Sequence, residues 1–85
     1  MAEVKIYTTR YCPYCHAATA LFGEKRVPFE EIDVTGDHVA RADLAQRTGR
    51  QTVPQVFIDG ESIGGYDELA ALDRSGRLDE LLQGG

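Results

Sequence analysis

Val4-Lys5-Ile6-Tyr7 alternates apolar and polar positions and is rich in strand formers, so it reads as a first strand ending near Thr8-Thr9. Pro13 stands where a helix can begin, because proline suits the first helical turn. The run from Cys15 to Lys25 carries Ala18, Leu21 and Phe22 at helical spacing, and Gly23 weakens its end. Val27-Pro28 breaks that helix, and Phe29 to Val34 follows as a short second strand. Strand, helix and strand within about 30 residues make a βαβ unit, whose strands should be parallel with a right-handed crossover.

Thr35-Gly36-Asp37 is a turn, with Asp37 placed to cap a second helix. Val39, Ala42 and Ala45 fall on one helical stripe, with Leu44 at its flank, and Gly49 is well placed to end the helix. After Val53-Pro54 comes a third strand, Val56-Phe57-Ile58. Asp59-Gly60 is a strong two-residue hairpin signal, returning the chain as a fourth strand from Glu61 to Ile63. Gly64-Gly65 closes it. Leu69 and Leu72, then Leu78, Leu81 and Leu82, mark two short helices split by Ser75-Gly76. The order β-α-β-α-β-β-α-α asks for a parallel pair and an antiparallel hairpin. A mixed four-stranded sheet with helices on its faces, an α/β fold, satisfies both. With no internal repeat or linker, residues 1–85 read as a single domain, and Gly84-Gly85 as a frayed end.

Composition narrows the function. The 85 residues are 42% hydrophobic, enough to fold and too few for a second core. The net charge is -5, which speaks against a nucleic-acid partner. That charge is uneven: residues 1–50 hold 7 basic and 7 acidic groups, whereas residues 51–85 hold 2 and 7. No segment approaches the roughly 20 apolar residues of a membrane span. The first ten residues also lack an apolar signal core, so a soluble cytoplasmic protein without a membrane partner is expected. Two cysteines, Cys12 and Cys15, are too few for a disulfide scaffold or a four-thiolate zinc site.

Cys12-Pro13-Tyr14-Cys15 follows the first strand and opens the first helix. Helix starts present unpaired N–H groups and a partial positive charge, which favour a thiolate and make it a usable nucleophile. Cys15 lies one turn further in, close enough to attack a disulfide formed at Cys12. That suggests Cys12 as attacking thiol and Cys15 as resolving thiol. Two other readings stand beside this one: half of a zinc site, completed to two sulfurs and two nitrogens by His16 and His38, and a pair of buried inert thiols. Adjacent positions on a helix do not face one point, which counts against Cys15 and His16 as joint ligands. The helix start and the flanking Arg10 count against inert thiols. Both histidines read as surface residues.

Two further markers are Thr52-Val53-Pro54, where a strand-entry proline goes with an edge, a bulge or a cis bond, and Gly64-Gly65-Tyr66-Asp67-Glu68. In the latter, glycines permit close backbone approach and Asp67 is placed to cap the next helix. All three markers sit where strands meet helices or loops, and such ends can converge on one surface.

Taken together at these spacings, Cys12-Pro13-Tyr14-Cys15, Thr52-Val53-Pro54 with Gln55-Val56-Phe57-Ile58, and Gly64-Gly65-Tyr66-Asp67 make the chain resemble the dithiol glutaredoxins of the small bacterial type, over nearly its whole length. The resemblance implies a thioredoxin/glutaredoxin-like fold. It also implies an enzyme that reduces glutathione mixed disulfides and protein disulfides, with glutathione as co-substrate and no permanently bound cofactor or metal. Glutathionylated proteins and disulfide substrates such as reductases would be its partners, and the chain would act as a monomer. Carried over by position, Cys12 is the nucleophile and Cys15 the resolving thiol. Tyr14 flanks glutathione, Pro54 is cis, and Val53 pairs its backbone with the glutathione cysteinyl unit beside Thr52. Gly65, Tyr66 and Asp67 meet the γ-glutamyl end, and Arg41 faces the glycyl carboxylate. Two departures stand out. Thr9 holds a place where the family often has lysine, so that Arg10 either supplies the charge from a shifted position or points to solvent. Tyr66 replaces a residue that is often small or cysteine. Because Arg10, Arg41, Arg47 and Arg50 lie in the neutral half, a locally positive rim at the Cys12 groove is predicted. An iron–sulfur carrier and a thioredoxin-reductase-dependent redoxin are the competing readings.

Overall fold

The computed structural model of the protein describes residues 2–83. The expectation for Gly84-Gly85 lies outside them. In chain order the elements are β1 (Val4–Thr8), α1 (Pro13–Glu24), β2 (Glu30–Asp33), α2 (His38–Thr48), β3 (Gln55–Ile58), β4 (Glu61–Gly64), α3 (Tyr66–Arg74) and α4 (Arg77–Gln83). The sheet runs β2-β1-β3-β4. β1 and β2 are parallel, with Ile6 opposite Glu31, while β3 is antiparallel to both β1 and β4. This is the predicted mixed sheet.

Alternation along β1 sorts its side chains onto two faces. Val4, Ile6 and Thr8 are buried on one face, and Lys5 and Tyr7 lie on the other. The first face carries the main core. There Ile6, Val56 and Ile58 of the sheet meet Ala18 and Phe22 of α1, Leu69 of α3, and Leu78 and Leu82 of α4. Each large side chain so buried contributes roughly 1.5–3 kcal/mol. Lys25, just past α1, binds Asp73 at 2.7 Å and Asp79 at 3.0 Å, tying α1 to the chain around α3 and α4.

The opposite face is thinner. Tyr7 and Phe57 pack edge to face at 5.6 Å, and the Arg47 guanidinium from α2 lies 4.7 Å from the Phe57 ring centre while donating to the Tyr7 hydroxyl at 3.2 Å. The expected caps of α2 are both present: Asp37 accepts from the Ala40 N–H at 3.0 Å, and Gly49 ends the helix at φ +73°. The apolar stripe is a correction. Val39 is 82% exposed and Ala42 is exposed, whereas Leu44, placed at the flank, is the buried residue of α2. An alanine-rich helix offers too little contrast between its faces for spacing alone to pick the packing side.

The hairpin forms on Asp59 and Gly60, both at positive φ (51° and 81°), as a primed two-residue turn requires. Because β3 is antiparallel to β1 and β4, the end of β1, the start of β3 and the end of β4 all reach one margin of the sheet. The starts of α1 and α3 lie there too, and the candidate chemistry collects there.

Candidate functional site

Cys12 caps α1 from an extended backbone (φ -124°, ψ 104°), with Pro13 as the first helical residue. Its Sγ accepts the Cys15 N–H at 3.2 Å and donates to the Val53 carbonyl at 3.6 Å. Cys12 is partly exposed and Cys15 is 2% exposed, and both are free thiols. Burial, and then the hydrogen bond with Cys12, push the Cys15 thiol up to about 12, a hydrogen bond at the Thr9 backbone opposing them in part. The pair is therefore asymmetric: one accessible sulfur at a helix start, and one sheltered sulfur that keeps its proton.

Val53-Pro54 is the cis bond named among the alternatives for this proline. Beside it opens a groove of about 280 Å³. One wall is Thr52, Val53 and Pro54; the other is Gly65, Tyr66, Asp67 and Glu68, with Tyr14 and Arg50 at the rim. The Tyr14 and Tyr66 rings sit 6.1 Å apart at 33°, so the side chain that departs from the family pattern packs against the tyrosine of the cysteine motif. The sequence markers from three separate stretches are thus brought together, and Cys12 joins them through Val53.

Asp67 does not cap α3. Gly65 is the cap residue, and Glu68 Oε1 accepts the Gly65 N–H at 2.7 Å while holding the Arg50 guanidinium at 2.6 Å. The reason is position. Asp67 is the second residue of the helix, whereas Glu68 is the third, the place from which a carboxylate reaches back to the cap. Those two contacts, the Gly65 N–H first, hold Glu68 below the usual carboxylate range. Arg50 and Glu68 both line the groove, yet Glu68 stood in its marker without a role and Arg50 was expected only as one of four rim arginines. The Gly65-x-x-Glu68 spacing of a capping box was the available signal for Glu68.

The predicted positive rim needs correcting too. Arg10 pairs with Asp33 at 3.6 Å, and Arg47 lies across the sheet on Tyr7 and Phe57. Arg50 reaches the groove but is matched by Glu68. Arg41 is not among the groove residues. It donates to the Gln51 carbonyl at 3.1 Å, next to Thr52, and lines a second cavity of about 360 Å³ with Gly36, His38 and Ala45. His16 is exposed, with its Nε2 3.3 Å from the Arg10 carbonyl. Among the described residues no three His, Cys, Asp or Glu side chains converge as a metal cluster, and no helix is long and apolar enough to cross a membrane.

Comparison with known proteins bears on the whole chain. Residues 4–63 match the glutaredoxin family model. Glutaredoxin 3 of Escherichia coli strain K12 is 52% identical over 83 residues, covering 98% of this chain and all of the relative. A glutaredoxin of Pseudomonas aeruginosa is 49% identical over 82 residues, covering 96% of this chain and 98% of the relative. Among solved structures, a buckwheat glutaredoxin–glutathione complex superposes with a TM-score of 0.91 at 32% identity, over 96% of this chain and 77% of that one. The glutaredoxin of Brucella melitensis gives 0.86 at 46% identity, over 96% of this chain and 89% of that one. The fold is thus the thioredoxin-like arrangement expected from the sequence.

Proposed function

The chain belongs to the glutaredoxin family, and on that premise we propose that it is a glutathione-dependent thiol–disulfide oxidoreductase in which Cys12 attacks and Cys15 resolves. The observation that carries the assignment of roles is the unequal pair: Cys12 Sγ accessible and held by the Cys15 N–H, Cys15 buried and protonated.

The Cys12 thiolate attacks the glutathione sulfur of a glutathionylated substrate, forming a disulfide to glutathione as the substrate thiolate leaves and takes a proton. A second glutathione, as thiolate, attacks that glutathione sulfur. Glutathione disulfide departs and the Cys12 thiolate returns, held again by the Cys15 N–H. On a protein disulfide, Cys12 forms the mixed disulfide, and Cys15 attacks Cys12 Sγ once it loses its proton, releasing the reduced substrate and leaving a Cys12–Cys15 disulfide. Two glutathiones then reduce that bond.

The groove beside Cys12 suits an extended tripeptide. Val53 offers backbone polar groups along one wall. The N–H groups at the start of α3 meet the γ-glutamyl carboxylate, and Asp67 takes its ammonium group. Tyr14, Thr52, Pro54, Gly65 and Tyr66 shape the space between. Arg41, anchored on Gln51, takes the glycyl carboxylate. Glutathionylated proteins and protein disulfides are the substrates, the chain works as a monomer, and its free thiols suit a reducing cytoplasm.

The test is reduction of a small glutathione mixed disulfide coupled to NADPH through glutathione reductase. Turnover that requires glutathione supports the reading. Equal turnover with thioredoxin reductase in place of glutathione overturns it.

A further inference from the structure

Gln55 opens β3, opposite Tyr7 of β1, and is wholly buried. Its Nε2 donates to the Thr52 carbonyl at 2.9 Å and stands 3.4 Å from Thr52 Oγ1. Its Oε1 is buried with no hydrogen-bond partner among the described residues. Turning the amide over would set its oxygen against the Thr52 carbonyl. A methionine would fill the same space without stranding an acceptor, so packing does not account for the amide. What the amide adds is a grip on Thr52.

That grip has a direction. The Thr52–Val53 peptide is trans, and the C=O and N–H of a trans peptide point opposite ways. Gln55 draws the Thr52 carbonyl into the interior, so the Val53 N–H turns outward on the segment that walls the groove. This N–H has no partner among the described residues, while the carbonyl of the same residue accepts from Cys12.

We propose that Gln55 is a positioning residue: by holding the Thr52 carbonyl inward, it presents the Val53 N–H to the peptide backbone of bound glutathione. The inference rests on the glutathione reading above. It assigns the buried amide to substrate affinity and leaves the chemical step to the cysteines.

The experiment is steady-state kinetics of Gln55→Met on a glutathionylated peptide, together with amide exchange by NMR in the wild type. With the Val53 N–H no longer fixed, KM rises about tenfold, the worth of one hydrogen bond, while kcat and the melting temperature hold. In the wild type, the Gln55 NH2 protons exchange far more slowly than those of the exposed Gln46, Gln51 and Gln83. A folded Gln55→Met protein with unchanged KM overturns the inference, as does one whose kcat falls with KM unchanged. If the variant does not fold, the exchange rates decide, and Gln55 protons as fast as those of the exposed glutamines overturn it. A wild type without glutathione-dependent turnover overturns the proposed function itself. An active wild type beside a Gln55→Met protein of unchanged KM overturns this inference alone.

Discussion

The Cys15 backbone N–H points at the Sγ of Cys12 across 3.2 Å, so the residue that supplies the second thiol also steadies the first. Sequence spacing makes this geometry: three residues at a helix start bring an unpaired N–H back onto the side chain of the cap residue. Replacing Cys15 by serine keeps that N–H. The two functions of residue 15 can therefore be separated by mutation.

Alkylation should distinguish the thiols. At pH 7 iodoacetamide is expected to modify one site per chain, Cys12, as read by mass spectrometry of the digested protein. Cys15, raised to about 12 by burial and by its contact with Cys12, stays unmodified. Equal labelling of both cysteines at pH 7 would contradict the asymmetry.

The same buried thiol makes the reduced protein sensitive to alkali. Its pKa is higher folded than unfolded, so its contribution to stability is complete below about pH 9 and is lost as pH rises toward about 12. Urea midpoints of reduced wild type should fall across that window more steeply than those of Cys15→Ser. Parallel curves would remove Cys15 as the cause.

Glu68 predicts the opposite dependence. Its carboxyl is lowered by the Gly65 N–H first and Arg50 second, so its stabilisation is present above about pH 4.3 and is lost as pH falls through the lowered value. Glu68→Ala should cost about 1 kcal/mol at pH 7, the worth of a helix cap, with half-exposure limiting the ion pair's share. Urea titrations of wild type and variant should converge toward pH 2. A gap that stays constant with pH would show that the charge is not involved.

Gly64 probes the same wall from the other side. It sits at φ +115°, and a Cβ there would lie 2.6 Å from Glu68 Oε1 and 2.9 Å from its Cγ. Gly64→Ala should destabilise by about 1–3 kcal/mol through backbone strain and displacement of Glu68. Thermal melts check the stability, and glutathione KM should rise with the disturbed Gly65 wall. A variant matching wild type in both would contradict the role given to this contact.

What the sequence made legible was local. The bounds of α2 follow from Asp37 and Gly49, residues whose capping chemistry acts within one turn, and the hairpin follows from Asp59-Gly60 for the same reason. The three site motifs converge as expected because each lies at a strand end. What escaped was tertiary. Leu44 and not Val39 packs because the sheet face chooses the side of an alanine-rich helix. Arg50 is held by Glu68, 18 residues away, a contact no local spacing announces. The arginine count predicted a positive rim, but Arg10 and Arg47 are taken up by Asp33 and by the Tyr7–Phe57 pair.

The central claim is the division of labour between the cysteines, and the most direct measurement compares Cys12→Ser and Cys15→Ser on two substrates, a glutathionylated peptide and a protein disulfide. Cys12→Ser should lose both activities by more than about a thousandfold. Cys15→Ser should still remove glutathione from the peptide while losing reduction of the protein disulfide. Equal loss of deglutathionylation in the two variants would contradict the account.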